Sequence, residues 1–467
     1  MNRTNLTRLE VICFMMFFLV SPLSATWKEA VLYSFQGGTD GATPVGGVVF
    51  DTEGNLYGAT QYGGSDNCAP MAACGTIYQL APQKDGSWKE TLLYVFKGKA
   101  FNDGEYPEGG VIADSGGNLY GTAAYGGTGN CVLAGSIGGC GAVFELSPPK
   151  RKGGAWTETI LYSFPTAEQG YVPWGDLVFD KSGNLYGATI FGGGKGTTCD
   201  PFYQYCGTVF ELSPPENKGG KWTEKVLHRF AGSPDGEPSG DGANPNGGLV
   251  LDSRGVVYGT TYYGGNNQKG TCEGGAWGTG CGTVFALQPP TRKGGAWSET
   301  VVHRFDINEG VNPGAGVAID VDGNLYGTTL GGPHEGGGVV FLIEKPSAKS
   351  KAWTESTLHQ FSTRGENGYE PAGGLILDAG GNLFGTTYAG NDNTLRGDVF
   401  RLQRPSENNE IWSFRTLHDF AGIPDGENPD GIMIFSPSGN LYGMTQYGGT
   451  GAGCGSAGCG TIFALSH

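Results

Sequence analysis

Residues 47–58, Gly-Val-Val-Phe-Asp-Thr-Glu-Gly-Asn-Leu-Tyr-Gly, decide the fold of this chain. An apolar run ends at an aspartate, a Gly-Asn pair follows, and a second apolar run begins. This pattern predicts two short antiparallel strands joined by a tight turn, because Asp can bond the backbone ahead of it and Gly accepts a positive φ. The hairpin returns six times, around Asn118, Asn184, Val256, Asn324, Asn382 and Asn440.

Each of the seven units is predicted to contain four strands. Strands A and B form the hairpin, strand C opens at a glycine such as Gly75, and strand D opens at a tryptophan such as Trp88. The hairpins are spaced 58 to 72 residues apart, and the two shortest intervals belong to units without cysteine. The length differences therefore fall in the loops. After the first 25 residues the sequence carries no strong helix signal.

The two ends of the repeat region predict a closed ring. A strand of type D, residues 27–35, precedes the first strand A, and the sequence finishes with a strand C, residues 461–465. An open stack would leave bare sheet edges at both ends, which favours aggregation. In a ring, the N-terminal strand completes the last blade. We therefore predict an all-β fold, a seven-bladed β-propeller of four-stranded antiparallel blades, as a single domain over residues 26–467.

Charge and composition exclude several classes of partner. The 467 residues carry 29 basic and 45 acidic side chains, a formal charge of −16. Nucleic acid requires a basic face, and so does an anionic membrane surface. Glycine and proline are abundant, at 87 and 25 residues, but the glycines recur on a fixed pattern, which disfavours disorder.

The first 25 residues resemble a secretory signal peptide. Arg3 and Arg8 supply a positive start, residues 11–20 are continuously apolar, and Ala25 offers a small residue for cleavage. The apolar run is too short to span a bilayer as a helix, although an uncleaved anchor is the alternative. No later stretch is apolar enough to cross a membrane.

Ten cysteines outside the signal fall into five local pairs. Each pair occupies one loop of one repeat, so local disulfides are the simplest connectivity. Zinc is the competing interpretation, but no pair has further ligands placed to complete a site. Disulfides indicate an oxidising compartment, either extracellular or periplasmic. The predicted pairs are Cys68 with Cys74, Cys131 with Cys140, Cys199 with Cys206, Cys272 with Cys281, and Cys454 with Cys459.

The repeat resembles a known family. The hairpin pattern G-G-x-[VIL]-x-D-x-x-G-N-L-[YF]-G-[TA]-[TA], followed by Y-G-G and G-T-V-F-x-L, is similar to the GloVer tandem repeats of bacterial exported proteins. The resemblance implies a secreted or cell-envelope protein, and it brings no established activity or catalytic residues. Because the sequence stops at His467 without a hydrophobic or sorting segment, we expect free secretion rather than surface anchoring.

One face of the propeller is the expected functional face, because the long B–C loops and the D–A loops gather there. An aromatic residue near the end of strand B could stack on sugar rings at this face. Packing between blades is the alternative, and we favour it for a position that recurs in most units. The candidate ligand-binding residues are Tyr62, Tyr125, Phe191, Tyr263, Tyr388 and Tyr447, with Leu330 in the remaining unit.

Acidic residues are frequent in the D–A loops and could hold calcium. No complete ligand string is present, and Asp-Gly is itself a favoured turn pair, so we predict turns and no metal or other cofactor. The loop acids are Asp40, Asp103, Glu105, Asp235, Glu237, Asp241, Glu309, Asp425, Glu427 and Asp430.

No catalytic residue is predicted. The sequence has no G-x-S-x-G nucleophile motif and no zinc-helix motif. Four histidines in strand D occupy the position that tyrosine holds in other units, which indicates packing. They are His228, His303, His359 and His418, and the tyrosines are Tyr33, Tyr94 and Tyr162.

The leading functional hypothesis is a secreted, monomeric, non-enzymatic binding module for a glycan or a protein. The second is a carbohydrate-active enzyme, a glycoside hydrolase or polysaccharide lyase, with loop carboxylates at the channel mouth. A purely structural role is the third. Convergent carboxylates in a deep channel would favour the enzyme. We also expect the ligand to enter beside blades 5 and 6, whose loops are shorter.

Overall fold

The computed structural model describes residues 27–64, 74–133, 136–151, 153–193, 206–217, 219–232, 240–265, 272, 280–333, 336–348, 350–363, 368–390, 396–406 and 411–467. The predicted signal peptide lies outside this set. Seven antiparallel sheets form the blades, so the predicted seven-bladed β-propeller is confirmed. Within the described ranges, no helix is long and apolar enough to cross a membrane.

The blades follow one another along the chain, and each contains strands A to D in order. Blade 1 comprises Ala42–Phe50, Leu56–Tyr62, Thr76–Pro82 and Trp88–Val95. Blade 2 comprises a divided strand A, Gly104–Pro107 and Ile112–Ala113, then Leu119–Gly126, Ala142–Ser147 and Thr157–Ser163. Blade 3 comprises Tyr171–Phe179, Leu185–Phe191, Thr208–Ser213 and Thr223–Arg229.

The remaining blades have short A strands. Blade 4 comprises Val250–Leu251, Val257–Thr261, Thr283–Gln288 and Ser298–Arg304. Blade 5 comprises Ala318–Ile319, Leu325–Thr329, Val339–Glu344 and Thr354–Gln360. Blade 6 comprises Ile376–Leu377, Leu383–Thr387, Asp398–Gln403 and Ser413–Asp419. Blade 7 comprises a divided strand A, Gly426–Pro429 and Ile434–Phe435, then Leu441–Gly448, Thr461–Ser466 and Lys28–Ser34.

Small elements occupy the loops. A two-stranded ribbon, Val132–Leu133 with Ser136–Ile137, lies in the B–C loop of blade 2. The 3₁₀ helices are Gly38–Asp40, Lys99–Phe101 and Ala452–Ala457.

The N-terminal strand closes the ring. Strand Lys28–Ser34 pairs antiparallel with Thr461–Ser466, with Lys28 opposite Ser466 and Ser34 opposite Thr461. It therefore supplies strand D of blade 7, and the predicted closure is confirmed. The first and last strands of the described chain share one sheet, so blade 7 has strands A to D like the other blades.

Aromatic pairs form the core between blades. A phenylalanine after each strand D packs against the aromatic ring in strand C of the next blade, at centroid distances of 5.0 to 5.3 Å. These tilted and edge-on arrangements are favoured for aromatic pairs. The seven pairs are Phe35–Tyr78, Phe96–Phe144, Phe164–Phe210, Phe230–Phe285, Phe305–Phe341, Phe361–Phe400 and Phe420–Phe463.

A second contact joins neighbouring blades at the channel end of strand A, and we call it the X-Pro contact. Residue X has a left-handed φ of +54° to +58° in all seven blades, which is uncommon for a residue other than glycine. Its backbone N–H donates to a carbonyl in the preceding blade at 2.6 to 3.1 Å. The donor–acceptor pairs are Thr43–Cys459, Tyr106–Cys74, Val172–Cys140, Asn244–Cys206, Asn312–Cys281, Glu370–Gly337 and Asn428–Arg396.

The proline of each X-Pro contact packs on the glycine that opens strand C of the preceding blade. A Cβ on this glycine would lie 2.3 to 2.6 Å from the proline Cδ, closer than two carbon atoms can approach. A glycine is therefore required wherever a proline packs. The glycine–proline pairs are Gly75–Pro107, Gly141–Pro173, Gly207–Pro245, Gly282–Pro313, Gly338–Pro371, Gly397–Pro429 and Gly460–Pro44.

Substitution of Gly460 tests the contact that closes the ring. Gly439 has a similar φ, +87° against +95°, but nothing lies within 4 Å of its added Cβ. Gly439→Ala should therefore lower the free energy of unfolding by only about 1–2 kcal/mol, the cost of a left-handed alanine. Gly460→Ala should cost about 1–3 kcal/mol more, because its methyl group overlaps Pro44. Urea unfolding of both variants measures the difference, and equal losses would show that the Gly460–Pro44 contact contributes nothing.

Candidate functional site

The residue after each X-Pro proline lines the central channel. Because the X-Pro contact holds the preceding backbone, these seven positions, which we call the post-proline ring, are placed by the fold while their side chains vary. The channel encloses about 750 Å³. The post-proline ring consists of Val45, Glu108, Trp174, Asn246, Gly314, Ala372 and Asp430.

Strand B contributes a second set of channel-lining side chains. Gln61, Leu330 and Gln446 line the channel, and each follows the threonine that pairs with the start of strand C. Side chains alternate along a strand. The next residue in blade 1, Tyr62, therefore points the other way and packs against the core between blades 7 and 1.

Three carboxylates lie in this channel. Glu108 and Asp430 belong to the post-proline ring, and Asp176 lies two residues after Trp174. The Gln61 amide donates a short hydrogen bond to Glu108 Oε1. The Gln446 amide donates to Asp430 Oδ2 at 2.8 Å. Amide side chains on blades 1 and 7 therefore orient carboxylates on blades 2 and 7.

The remaining partners of these acids are backbone groups. The Gly110 N–H donates to Asp176 Oδ1 at 2.6 Å, which links blades 2 and 3. The Gly431 N–H donates to Asp430 Oδ1 at 2.7 Å. Since each carboxylate is held by hydrogen bonds, its direction in the channel is set before any ligand arrives.

The channel favours protonated carboxyl groups. Burial raises the pKa of Glu108 to about 8; the Gln61 hydrogen bond lowers it and the charge of Asp430 raises it. Burial also raises the pKa of Asp176, with Asp430 adding to the effect. The pKa of Asp430 is itself raised by burial. At neutral pH Glu108 is therefore mostly uncharged and can donate a hydrogen bond.

The channel wall is asymmetric. Carboxylates come from blades 2, 3 and 7, whereas the post-proline residues of blades 5 and 6 are Gly314 and Ala372. Trp174 adds a large aromatic surface on blade 3. Among the described residues that line the channel there is no lysine, arginine or histidine. The site therefore combines acids, amides and one indole, with the smallest post-proline residues on blades 5 and 6.

Four of the predicted aromatic ligand-binding residues pack within or between blades, namely Tyr62, Tyr125, Phe191 and Tyr263. Phe191 is buried beside Tyr171, with ring centroids 5.4 Å apart. The ring centroid of Tyr106 lies 5.7 Å from those of Tyr62 and Tyr125. Tyr263 packs against the core of blades 3 and 4, and Tyr447 lies opposite Glu427 in blade 7. None of the six predicted residues belongs to the described channel lining. Their ligand-binding role stays a prediction.

Tyr388 differs from the other five in register. Gly385 pairs with Phe400 as Gly58 pairs with Tyr78. Tyr388, three residues after Gly385, is therefore the counterpart of Gln61 and not of Tyr62. Its hydroxyl donates to Gln446 Oε1 at 3.4 Å, which places Tyr388 beside a channel-lining residue.

Most of the described loop acids are partners of strand D. The Tyr33 hydroxyl donates to Asp40, and the Tyr94 hydroxyl donates to Asp103, both at 2.7 Å. His228 and His303 lie 3.0 Å from Asp241 and Glu309, and His418 lies 3.2 Å from Asp425. His359 stacks on Phe414 instead. Asp235 and Glu237 lie outside the described residues. These acids thus serve local structure, away from the channel.

Disulfides crosslink B–C loops on the face where the D–A loops also lie. Cys131–Cys140, Cys272–Cys281 and Cys454–Cys459 are formed as predicted. Cys74 and Cys206 are also disulfide-bonded, while Cys68 and Cys199 lie outside the described residues. The second cysteine of each pair carries the carbonyl that accepts an X-Pro hydrogen bond. Such crosslinks are compatible with an extracellular or periplasmic protein.

Sequence reasoning missed Glu108, Trp174, Asp176 and Asn246. The available signal was the alignment of the x-Pro-x-Gly segments before the hairpins, a pattern that six units share and that residues 312–315 of unit 5 replace with Asn-Pro-Gly-Ala. Proline recurs there in all seven units, whereas the following residue changes in size and charge from unit to unit. An invariant frame around a variable residue is typical of a scaffold that presents functional side chains.

The fold and channel define a propeller with an acidic, aromatic-bearing central site, and comparisons with known proteins agree on the fold. Residues 270–467 match the family model described as the Gloeobacter/Verrucomicrobia repeat. The family predicted from the hairpin is therefore confirmed over these residues. No curated protein matches the sequence.

Several solved structures are similar at low identity. An ulvan lyase of polysaccharide lyase family 25, bound to -[GlcA(1-4)Rha3S]-, is 10% identical, covers 90% of each chain and has a TM-score of 0.50. Polysaccharide lyase Uly1 is 10% identical over 93% of this chain and 92% of its own, with a TM-score of 0.49. The gluconolactonase XC5397 from Xanthomonas campestris is 14% identical over 69% and 78%, with a TM-score of 0.34. The likeness to the ulvan lyase shows the fold alone.

The raised pKa of Glu108 predicts a pH-dependent stability. Folded Glu108 keeps its proton up to about pH 8, whereas an unfolded glutamate releases it near 4.5. The wild-type chain therefore loses stability as pH rises through this window. Glu108→Gln lacks this loss, so its free energy of unfolding relative to wild type should rise by about 2 kcal/mol between pH 5 and pH 9, a value discounted for water in the channel.

Urea unfolding at both pH values measures this change. Glu53→Gln is the matched control, because Glu53 is an exposed carboxylate in an A–B turn on the opposite face. If the free energy of unfolding of Glu108→Gln differs from that of wild type by the same amount at pH 5 and at pH 9, the assigned environment of Glu108 is wrong.

Proposed function

We propose that this chain binds the end of a glycan in its central channel, without cleaving it. The observation that carries the proposal is the post-proline ring, where Glu108, Asp430 and Asn246 share one channel with the indole of Trp174. Carboxyl and amide groups bond sugar hydroxyls, and an indole stacks on the apolar face of a sugar ring. The ring provides both kinds of contact.

The dimensions of the channel support a short ligand segment. Its volume of about 750 Å³ lies within the range for small-molecule sites, and it suits the end of an oligosaccharide better than the middle of a thick polymer. We propose entry beside blades 5 and 6, where the post-proline residues Gly314 and Ala372 are the smallest of the ring. This entry side agrees with the expectation from their shorter loops.

The charge of the channel supports a neutral or amine-bearing sugar. The described lining carries three acids and no basic side chain. A uronate would bring a further carboxylate into a channel whose described lining has no basic side chain to neutralise it. The glucuronate-containing chain in the ulvan lyase structure is therefore a poor guide to the ligand of this protein.

Glycoside hydrolysis is the second candidate, and the protonation of Glu108 favours it. A glutamic acid with a pKa of about 8 can donate a proton to a leaving oxygen at neutral pH. Asp430, the acid whose charge acts on Glu108, would be the second carboxylate of a hydrolase. In this alternative the same channel residues bind the sugar and act on it.

We propose an extracellular or periplasmic monomer. The predicted signal peptide and the disulfides support this location. The closed ring supports a monomer, since the N-terminal strand completes blade 7 within one chain.

A sugar panel tests the function. The mature protein is incubated with cellohexaose, a glucosamine hexamer and hexagalacturonate, and calorimetry and reducing-end release are read from the same samples. We expect binding of the neutral or amine-bearing hexamer, weaker binding of hexagalacturonate, and no new reducing ends. Trp174→Ala should weaken binding by about 10-fold or more, since one aromatic stacking contact contributes roughly 1–3 kcal/mol. Glu53→Gln should bind as wild type does.

Three other results would each contradict the proposal of glycan binding without cleavage. New reducing ends that disappear in Glu108→Gln would establish the hydrolase and end the claim of binding alone. Binding that survives Trp174→Ala unchanged would remove the channel from the mechanism. No binding of any of the three hexamers would overturn the proposal in favour of a protein partner or a structural role.

A further inference from the structure

A cluster at the ring closure resembles a metal site. Glu29 lies in the N-terminal strand, which is strand D of blade 7, and His418 lies in strand D of blade 6. Asp425 follows in the connection between these blades. One ligand atom from each of the three side chains lies within 4.8 Å of the other two. A single ion could therefore contact all three.

The hydrogen bonds of the cluster leave ligand capacity unused. His418 Nε2 lies 3.2 Å from Asp425 Oδ2. Asp425 also accepts hydrogen bonds from the backbone N–H groups of Ala421 and Gly426, which fix its direction. Glu29 Oε1 is buried and has no hydrogen-bond partner, and the same holds for the equivalent oxygens of Glu90, Glu158, Glu224 and Glu299. What distinguishes Glu29 among the described residues is that a histidine and a second carboxyl group have ligand atoms within 4.8 Å of it.

Two of the three side chains are accessible to solvent. The side chains of His418 and Asp425 are 21% and 16% exposed, so an ion can reach them from solvent.

We propose that Glu29, His418 and Asp425 bind one divalent transition-metal ion of the Zn²⁺ type, which joins the N-terminal strand to blade 6. One imidazole nitrogen and two carboxylate oxygens suit Zn²⁺ or Co²⁺ better than Ca²⁺ or Mg²⁺, which prefer oxygen ligands alone. Three protein ligands leave the fourth position to water. Because the ion bridges the closure of the ring, its binding stabilises the folded chain.

The chain contains its own comparison for this site. The same three positions recur between other blades, but only the closure cluster brings three ligand atoms within 4.8 Å among the described residues. Two of the other clusters replace histidine with tyrosine, whose hydroxyl donates to the loop acid. The other clusters are Tyr33–Asp40–Glu90, Tyr94–Asp103–Glu158, His228–Asp241–Glu299 and His303–Glu309–Glu355.

Metal titration of the mature, tag-free protein tests the site. After treatment with EDTA and dialysis, Zn²⁺ is titrated by calorimetry, Co²⁺ is followed by its visible absorption, and Tm is recorded with and without Zn²⁺. We expect one ion per chain, a Co²⁺ spectrum of low coordination number, and a higher Tm with Zn²⁺. His418→Tyr and Glu29→Gln should each weaken binding by about 100-fold or more, since losing a mere supporting partner already costs about 10–100-fold.

His303→Tyr is the matched control, because it introduces the same change between blades 4 and 5. It should retain the ion and the rise in Tm. Circular dichroism checks that each variant folds, and the nearly isosteric Glu29→Gln decides the question if His418→Tyr does not fold. The absence of Zn²⁺ binding, or equal affinity in wild type and Glu29→Gln, would overturn the site and leave the cluster a hydrogen-bonded contact like its counterparts.

Discussion

The X-Pro contact is the constraint on which the rest of the structure depends. In each blade a left-handed residue donates its N–H to the preceding blade, and the following proline packs on a glycine of that blade. The donor, the proline and the glycine must occur together, since a Cβ on the glycine would overlap the proline. Seven repetitions of this contact hold neighbouring blades at the same separation, and the seventh, Gly460 with Pro44, closes the ring.

Because of this constraint, neighbouring residues of the chain have different roles, one structural and the next functional. The proline is held by packing, while the next residue enters the channel with no such requirement. Substitutions there change the site without changing the ring, so one scaffold can present acids on one side and small apolar residues on the other. The disulfides act at the same place, because the second cysteine of each pair provides an acceptor carbonyl. Loop rigidity and blade spacing are therefore linked.

The repeats made the fold predictable to the level of blades, strands and closure. The glycines, the Asp-x-x-Gly turn and the position of the first strand each have a local physical reason, and so do the adjacent cysteines. The channel acids were not predictable in the same way, because Glu108, Asp176 and Asp430 lie far apart in sequence and meet only when the ring curves. Tyr388 differs for another reason, which the sequence does contain: it lies three residues after Gly385, whereas Tyr62 lies four residues after Gly58. Both glycines pair with strand C in the same way, and in a strand an offset of one position reverses the side chain.

Hydrogen–deuterium exchange of the mature protein, with and without the hexasaccharide that binds most tightly, tests the central claim most directly. If the post-proline ring is the functional site, the added protection should concentrate in the segments around Glu108, Trp174, Asn246 and Asp430, which lie on four different blades. The A–B turns on the opposite face should exchange at unchanged rates. Protection confined to those turns, or to the outer strands D, would contradict the account.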